Sequence, residues 1–451
     1  MAHPQRRRRS DRNGRDDRNA ATGKLSDNPG KVLVLGADGF IGRHIAFGLR
    51  EEGWQVLASA RNTNSLSHMG FETLKADLTD PQTHDPDWWR PQIADISHVV
   101  IASGVLDASD AVYEAVHVTA PKALCEALPD DANAVLISAV GIDHSETRFA
   151  RYRQKAEALA QDHNLTVLRA GLVLGGTSYG GSSLARALAA MPFCIPVVGD
   201  GKQTFNPIHA ADLSRIVSHA LKSDPSPTPT DIGGPETITQ EQILQSYRRW
   251  FGLAPVRALK LPLWCAYLLG KIGDKMRLGP ISSTAVAQLQ SGVLAKPDFT
   301  NLPGTIHPRG FRTFLNARPA GTQDLWHARL YLMRPVLRIV LAVLWLASGL
   351  IGLFLPATEF LPLITNAPVS DAVLIALARI GGVADIVLGV LILRGWRPRL
   401  TTLLQALLVL GYTAAFTLLA PLLWLLPLGG LLKNLPILAL IGILAILEKE
   451  R

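Results

Sequence analysis

Four apolar runs in the last third of the chain constrain its fold more than any other feature. Residues 336–355 supply twenty nearly continuous apolar positions, and similar runs cover about 371–393 and 400–420. A shorter run covers roughly 435–447, so its span has to begin near GGLLKN or lie in a thinner bilayer. A helix of about 20 apolar residues crosses the hydrocarbon core of a membrane. The sequence therefore predicts four membrane spans.

Positive charge is concentrated on one side of these spans. Arginines precede the first span and crowd the turn after the second, whereas the loop after the first span carries only acidic charges. Because basic loops stay in the cytoplasm, the sequence predicts a multi-pass protein of a bacterial inner membrane whose N-terminal domain is cytoplasmic. An even number of spans returns the C-terminal EKER to the same side. The arginines are Arg334, Arg338, Arg394, Arg397 and Arg399, and the acids are Glu359 and Asp371.

A strand, a glycine turn and a helix are predicted near the start of the chain. Residues 31–35 form an apolar run typical of a buried parallel strand, and residues 41–49 have helical apolar spacing. Between them stand three glycines spaced G-x-x-G-x-x-G. Glycine permits a tight turn and a close backbone approach, and the start of the helix offers free N–H groups to a pyrophosphate. The expected nucleotide contacts here are Gly36, Ala37, Gly39, Phe40, Ile41 and Gly42.

The end of the next predicted strand bears on the choice between the two nicotinamide dinucleotides. An acid that binds the ribose diol of NAD is expected there, but the sequence reads Ser59, Ala60, Arg61. A missing acid and a nearby guanidinium suit the 2′-phosphate of NADP, because arginine binds phosphate through charge-assisted hydrogen bonds. We therefore expect NADP, with NAD as the less favoured cofactor. The alternative for Arg61 is a solvated loop charge.

Further apolar runs alternate with helix-like segments up to about residue 175. The runs end at KADL, HVVIASG, AVLISAVG and LTVLRAGLVLGG. This alternation predicts an α/β fold, a doubly wound Rossmann-type parallel sheet, followed by the α-helical transmembrane bundle. Ligands of such sheets bind beyond the carboxyl ends of the strands. Asp77, Ala102 to Gly104, Ser138 and Gly171 lie at those ends, which makes them candidate site residues.

The motifs of residues 31–245 resemble those of the extended or atypical short-chain dehydrogenases/reductases. They are GADGFIG, ADL at 76–78, ASG at 102–104, Lys155, LRAGLVLG, NPIHAADL at 206–213 and GGPETIT at 233–239. A close relative in pattern is the nucleotide-binding accessory subunit of respiratory complex I, whose family role is structural. The resemblance implies that Asp77 and Leu78 flank the adenine and that the segment Ala102, Ser103, Gly104 passes behind the cofactor. It also implies that Lys155 holds the nicotinamide ribose and that Ser138 takes the position of the catalytic serine.

The stretch RYRQK, residues 151–155, raises the question of catalysis. The family's tyrosine would precede its lysine by four positions, which here is Arg151, whereas Tyr152 precedes Lys155 by three. Tyr152 therefore points about 100° away from the expected position on a helix. Three interpretations remain open: a helical irregularity returns Tyr152 to the nicotinamide, another acid replaces it, or the domain binds the nucleotide without reductase chemistry. The candidate catalytic residues are Ser138, Tyr152 and Lys155.

Composition narrows the other function classes. Residues 1–30 are predicted to be a disordered basic tail, because they are rich in arginine and nearly lack apolar residues. A solvated tail, a lipid-surface contact and nucleic-acid binding are the open interpretations, and nucleic acid is not expected as a partner. Cys125, Cys194 and Cys265 are far apart and fit a reducing compartment. Neither they nor the twelve histidines show metal-ligand spacing, so no metal site is expected.

Residues 246–330 are predicted to be an amphipathic cap or linker. Residues 262–272 are apolar but too few to cross a bilayer before the charges at Asp274 and Lys275. Trp264, Tyr267 and Lys271 give the stretch an amphipathic character. It either caps the substrate cleft near a membrane surface or forms an ordinary core helix.

Residues 331–451 resemble the DoxX-like membrane family, some of whose members are associated with quinone-linked oxidation. The resemblance depends on the hydropathy and on RPVLRIVLAVLWLASGLIGLF and ARIGGVADIVLGVLIL. Arg379 and Asp385 in the second span are costly in lipid and point about 120° apart on one helix, so we expect partners on other helices. Gly381 and Gly382 permit close helix packing. A functional site, a structural polar contact and a wrongly placed membrane boundary remain open there.

Together these features predict a membrane-bound NAD(P)-binding oxidoreductase of the short-chain dehydrogenase/reductase type. It would pass reducing equivalents to a hydrophobic acceptor, either a quinone or a lipid carbonyl. The alternative is a noncatalytic nucleotide-binding assembly or redox-sensor membrane protein, and a nucleotide-regulated transporter is a third interpretation. The expected partners are the dinucleotide and membrane lipid, with a quinone or a membrane protein complex as further candidates. The expected domains are 1–30, 31–245, 246–330 and 331–451.

Overall fold

A seven-stranded parallel sheet organises the first half of the computed structural model, which describes residues 29–129, 131–226, 228–291, 294–296, 306–364 and 368–448. The predicted basic tail lies outside these residues except for its last two positions. The strands are β1 (Lys31–Leu35), β2 (Gln55–Ala60), β3 (Glu72–Lys75), β4 (His98–Ile101), β5 (Asn133–Ala139), β6 (Thr166–Ala170), β7 (Val173–Leu174), β8 (Ile195–Val198), β9 (Thr204–Phe205), β10 (Ile208–His209), β11 (Thr230–Ile232), β12 (Ile238–Thr239) and β13 (Ala258–Leu261).

Helices cover both faces of the sheet and then form the membrane half. They are α1 (Phe40–Glu51), α2 (Asn64–His68), α3 (Pro86–Trp89), α4 (Asp110–Glu114), α5 (Ala120–Ala127), α6 (Arg148–Asp162), α7 (Gly181–Ala189), α8 (Ala210–Leu221), α9 (Gln240–Trp250), α10 (Leu263–Met276), α11 (Ser283–Ser291), α12 (Phe311–Asn316), α13 (Thr322–Tyr331), α14 (Met333–Phe354), α15 (Ala357–Phe360), α16 (Asp371–Leu393), α17 (Pro398–Leu419) and α18 (Asn434–Leu447).

The strand order β11-β6-β5-β4-β1-β2-β3 confirms the predicted doubly wound topology. The strand order reverses between β1 and β4, which are parallel neighbours in the sheet although β2 and β3 separate them in the sequence. Leu35 pairs with Ser59 on one side and with Ile101 on the other, so the carboxyl ends of these three strands are level. A crevice at such a reversal is where this kind of sheet binds ligands.

The sheet is buried on both faces because successive side chains of each strand point in opposite directions. Val32 and Val34 of β1 pack with α1 and α8 in one core, while Leu33 and Leu35 pack with α5 in the other. This double burial explains why the strands read as continuous apolar runs and show no alternation of polar and apolar residues.

Within the described residues, four helical segments are long and apolar enough to cross a membrane, which confirms the predicted number. They are Met333–Phe354, Asp371–Leu393, Pro398–Leu419 and Gly429–Leu447. The last consists of α18 and a preceding 3₁₀ stretch, so it begins at GGLLK as the short apolar run required. These four helices indicate that the chain is a membrane protein.

Glycines bring the first two spans, α14 and α16, into close contact. A Cβ added at Gly382 would lie 2.8 Å from the carbonyl oxygen of Gly349, and one at Gly352 would lie 3.0 Å from Gly382 Cα. No larger residue fits between these backbones without separating the helices, which is the role that small residues commonly have in membranes.

One buried ion pair joins the ends of the bundle to the linker. Arg338 of α14 donates from Nε and Nη2 to the carboxylate of Glu448 at 2.7 and 2.8 Å, and from Nη1 to the carbonyl oxygen of Met276 at the end of α10. A Cβ at Gly395, in the turn between the second and third spans, would lie 3.0 Å from Arg338 Nη1. The linker, that turn and the C-terminal end of the last span therefore meet at one end of the bundle.

Candidate functional site

The glycine turn lies at the carboxyl end of β1, packed against the backbone that follows β4. Gly36 has a φ of +83°, and the N–H groups of Gly36 and Ala37 both donate to the carbonyl oxygen of Ser59. A Cβ at Gly36 would lie 2.8 Å from Ser103 Cα. Both the left-handed φ and the close approach require glycine here.

The start of α1 has no internal partner for its backbone donors. Gly39 is the N-cap and offers no side-chain hydrogen bond, and the first turn carries no acidic residue. The N–H groups of Phe40, Ile41 and Gly42 cannot reach a helical carbonyl, because the first turn has none preceding it. A Cβ at Gly42 would lie 2.9 Å from the carbonyl carbon of Gly36, so α1 packs directly on the turn. This geometry suits a pyrophosphate.

Two buried hydroxyls at the same edge of the sheet have no hydrogen-bond partner among the described residues. They are Ser59 Oγ, at the end of β2, and Ser103 Oγ, just after β4. Buried polar groups normally have partners, and exceptions call for an explanation such as a ligand. The turn, the open helix start and these hydroxyls thus fit a dinucleotide.

Arg61 and Asp77 follow β2 and β3, as the sequence predicted. Arg61 is exposed, and Asp77 is half-buried with its Oδ1 accepting from Thr79 N and Thr79 Oγ1 at 3.0 and 2.8 Å. Burial raises the pKa of Asp77, but the Thr79 hydrogen bonds and the charge of Arg61 outweigh it, so that pKa is lowered overall. Leu78 is buried beside Asp77. Asp77 is thus an anion within the electrostatic reach of Arg61.

Ser138 lies near the end of β5 but is not free. Its hydroxyl donates to Glu157 Oε1 of α6 at 2.5 Å, and both residues are buried. Glu157 also accepts from Arg169 Nη2 at 2.6 Å, and Arg169 reaches Asp143 Oδ2 at 2.6 Å. The hydrogen bonds that Arg169 donates to Glu157 raise the pKa of Arg169. In this arrangement the Ser138 hydroxyl donates its proton to a carboxylate of α6.

Tyr152 and Lys155 lie on α6, which is a regular α-helix along its whole length. Tyr152 is half-buried and stacks on Tyr113, with ring centroids 5.1 Å apart and an interplanar angle of 6°. Lys155 Nζ donates to Glu114 Oε2 at 2.8 Å and lies 4.8 Å from the Tyr152 ring centroid. The hydrogen bond to Glu114 raises the pKa of Lys155. The three candidate catalytic residues therefore have three different partners, and α6 contains no irregularity that would rotate Tyr152.

Arg153 and His117 are site residues that the sequence reasoning missed. Arg153 is buried and donates to the carbonyl oxygens of Ile137 and Ser103 at 2.9 and 3.3 Å. Burial lowers its pKa to about 10. His117 lies in a π-helical turn, Ala115–Thr119, and its Nε2 accepts from Val105 N. Burial and the neighbouring Arg153 charge lower the pKa of His117 to about 3, so it is neutral near pH 7.

A signal for Arg153 was present in the sequence. The buried face of α6 consists of Ala150, Arg153, Ala156, Glu157 and Ala160. Two opposite charges one turn apart on an otherwise alanine face indicate a buried polar network, because isolated charges are costly there. The π-helical turn at His117 has no comparable pattern in the sequence.

The linker crosses the sheet edge near Gly171. Asn206 and Ala295 exchange two hydrogen bonds of 2.9 Å, from Asn206 Nδ2 to Ala295 O and from Ala295 N to Asn206 Oδ1. The Ala295 side chain is buried, and a Cβ at Gly233 would lie 2.8 Å from it. Gly171 donates its N–H to Ile232 O. The linker thus covers the carboxyl ends of β6 and β11.

The two charged residues of the second span have partners on other helices, as the sequence predicted. Asp385 is buried and accepts from Ser348 Oγ at 2.7 Å and from Tyr412 Oη at 2.9 Å, on the first and third spans. Arg379 donates to the carbonyl oxygens of Gly352 and Leu355 at 2.8 Å each. Arg379 and Asp385 do not form an ion pair with each other.

Two families match separate parts of the chain. Residues 32–141 match the NAD dependent epimerase/dehydratase family, and residues 342–442 match the DoxX-like family. A search of curated proteins found no match. These matches agree with the two resemblances inferred from the motifs and the hydropathy.

Solved structures similar to the chain include sugar-nucleotide enzymes. ADP-L-glycero-D-manno-heptose-6-epimerase from Helicobacter pylori is 16% identical, with 67% of this chain and 98% of that chain covered and a TM-score of 0.49. UDP-glucuronic acid 4-epimerase from Bacillus cereus in complex with NAD is 18% identical, covering 51% and 87%, with a TM-score of 0.45. dTDP-glucose 4,6-dehydratase from Bacillus anthracis str. Ames in complex with NAD is 15% identical, covering 51% and 84%, with a TM-score of 0.44.

Replacing Glu157 by Gln should destabilise the nucleotide-binding half strongly. The amide cannot compensate the guanidinium of Arg169, and breaking a buried pair costs about 3–5 kcal/mol. Thermal unfolding of the purified protein in detergent measures the effect. Asp143→Asn is the matched control, since its carboxylate binds the same arginine but is about half exposed, and exposed pairs contribute about 1 kcal/mol or less. Equal losses in the two variants would contradict the assigned network.

Proposed function

Because the chain joins an NAD-dependent epimerase/dehydratase-type domain to a DoxX-like domain, we propose that it is a membrane protein that binds a nicotinamide dinucleotide on its cytoplasmic side. The observation that carries this proposal is the glycine turn followed by an uncapped helix start, with unpartnered hydroxyls beside it. Together these groups offer backbone and hydroxyl donors to a pyrophosphate, and the first turn of the helix carries no acidic residue.

The proposed contacts follow the bound cofactor along the sheet edge. The N–H groups at the start of α1 hold the pyrophosphate, Arg61 binds the 2′-phosphate of NADP, and Asp77 and Leu78 flank the adenine. The segment from Ala102 to Gly104 passes behind the cofactor, and Lys155 holds the nicotinamide ribose, for which it has to exchange its contact with Glu114. When bound, the cofactor supplies a hydride acceptor or donor.

We further propose that this domain does not use the reductase chemistry of a free serine and tyrosine. The supporting observation is the bond from Ser138 to Glu157, which removes the hydroxyl proton from the site. The stacking of Tyr152 on Tyr113, in a regular helix, supports the same conclusion. A nucleotide-binding sensor or assembly protein is thus the function that the geometry supports best.

An oxidoreductase with a hydrophobic acceptor is the second candidate. It is favoured by one contact: the Lys155 ammonium lies 4.8 Å from the Tyr152 ring centroid, where its charge would stabilise a phenolate. The membrane half would give a quinone or a lipid carbonyl access to the protein. A quinone or a lipid carbonyl is therefore proposed as an acceptor only for this second candidate function.

The orientation that we propose places the linker, the arginine-rich turn and the C-terminus in the cytoplasm. The positive-inside rule supports it through the arginines of residues 394–399. The contacts of Arg338 support it as well, because they bring the turn, Met276 and Glu448 to one end of the bundle.

Arg61→Ala should weaken NADPH binding by about 10- to 100-fold, the range expected for losing one charge-assisted phosphate contact. NADH binding should change far less, since NADH has no 2′-phosphate. Nucleotide fluorescence titration of the detergent-purified protein measures both affinities, and Arg90→Ala, another exposed arginine, serves as the control. Equal weakening of both nucleotides would count against NADP as the cofactor.

Tyr152→Phe should change neither nucleotide affinity nor NADPH oxidation, because the tyrosine is a stacking residue in the proposed function. Oxidation is followed with quinone and lipid-aldehyde acceptors in turn, and Tyr179→Phe, an exposed tyrosine, is the control. A loss of roughly 10²- to 10⁴-fold with unchanged affinity, the usual range for a general acid, would instead establish the oxidoreductase.

Cysteine labelling in intact cells tests the orientation. With the three native cysteines replaced by serine, a cysteine at Arg399→Cys should resist an impermeant thiol reagent, whereas one at Glu359→Cys in the first loop should react. Both positions are exposed to solvent. Labelling in broken cells gives the total reactive fraction, and the reverse pattern would overturn the proposed orientation.

A further inference from the structure

Helix α10 presents an exposed apolar face. Trp264, Leu268 and Ile272 follow one another at four-residue spacing, so they share one side of the helix, and they are 69%, 51% and 44% exposed. Leu263 and Leu269 extend this face and are also exposed. A large exposed apolar patch on a protein marks a surface that contacts something else.

The opposite face of α10 fixes the rotation of the helix. Ala266, Gly270 and Gly273 are buried, and a Cβ at Gly270 would lie 2.8 Å from Ser283 N. Asp274 accepts from the Ser283 hydroxyl at 2.5 Å. The small residues and this hydrogen bond hold the buried side of α10 against the start of α11. The helix therefore cannot turn its apolar face inward.

The position of α10 next to the membrane bundle identifies what covers that face. Its last residue, Met276, accepts a hydrogen bond of 3.0 Å from Arg338, inside the first membrane span. Helix α13 leads directly into the same span and exposes Trp326 and Leu330 one turn apart, and Met333 at the start of α14 is exposed as well. The C-terminal end of α10 and the exposed apolar side of α13 therefore both lie at the end of the bundle where the spans leave the hydrocarbon.

Two cations lie on the same exposed side of α10 as the apolar residues, towards its C-terminal end. Lys271 and Lys275 are exposed, lie one turn apart and form no ion pair with any described residue. On a helix lying in a membrane surface, such lysines pack their apolar stems beside the apolar residues and extend their ammonium groups to the lipid phosphates. Anionic lipids attract each such residue electrostatically.

We propose that α10 lies in the headgroup layer of the bilayer that its own spans cross. Trp264, Leu268 and Ile272 enter the acyl boundary, and Lys271 and Lys275 bind the phosphates of anionic phospholipids. A second copy of the chain fits less well, because the face continues into the membrane spans of the same molecule. The helix thereby holds the linker, including Ala295 at the sheet edge, close to the membrane surface.

Labels on the full chain in lipid nanodiscs test the proposal. A nitroxide or fluorescent label at Leu268→Cys, in the chain without native cysteines, should be accessible to a lipid-borne quencher and protected from a water-soluble one. Met69→Cys is the matched control, an exposed apolar residue at the end of α2. Its label should show the reverse pattern, because α2 packs beside β3, the edge strand at the opposite end of the sheet from β11 and the linker.

The lysine contacts are tested by changing the lipid and the charge separately. Zwitterionic discs, or the double variant Lys271→Glu, Lys275→Glu in anionic discs, should reduce lipid quenching at position 268 several-fold. The melting temperature should stay constant, since both lysines are exposed. Protection of position 268 from both quenchers, together with dimeric protein, would assign the face to a second copy. Access by the water-soluble quencher would overturn membrane contact. Unchanged quenching in zwitterionic discs would overturn the preference for anionic lipid, and unchanged quenching in the double variant would overturn the phosphate contact.

Discussion

The buried pair of Arg338 and Glu448 determines how the two halves of the protein are joined. It connects the start of the first span to the end of the last, and its third donor binds the end of α10. A buried ion pair adds little net stability, because removing two charges from water costs about as much as their attraction returns. Its effect is specificity: any other arrangement of these helices would leave one charge buried and unpaired.

A second buried network lies behind the proposed nucleotide site. Arg153, Glu157 and Arg169 place charges behind the sheet edge, and Ser138 belongs to this network rather than to an open site. The charges need one another because each is costly alone in a protein interior. The same network holds the hydroxyl of Ser138, which by resemblance takes the position of the catalytic serine.

The charged side chains of the membrane half also have partners, but these partners are neutral hydrogen-bonding groups. Asp385 accepts from two hydroxyls on neighbouring spans, and Arg379 binds two backbone carbonyls. Each span forms its backbone hydrogen bonds internally. Contacts between polar side chains therefore set the rotation of one helix relative to another. Gly349 and Gly382 allow the first two spans to come close enough for the Ser348 hydroxyl to reach Asp385.

The sequence by itself determined the features that depend on local pattern. Apolar runs predicted the strands and four spans, and the glycines predicted the turn between β1 and α1, because both depend on residues that are neighbours in the chain. The charge spacing in the second span predicted partners on other helices for Arg379 and Asp385, and the structure confirms them. Only the tertiary structure decided the partners of Ser138, Tyr152 and Lys155. Ser138 and Glu157 are nineteen positions apart, and Lys155 and Glu114 are forty-one apart. Periodicity says which face of an element is buried but not which side chain of another element meets it, because that depends on how the packed elements are placed in space.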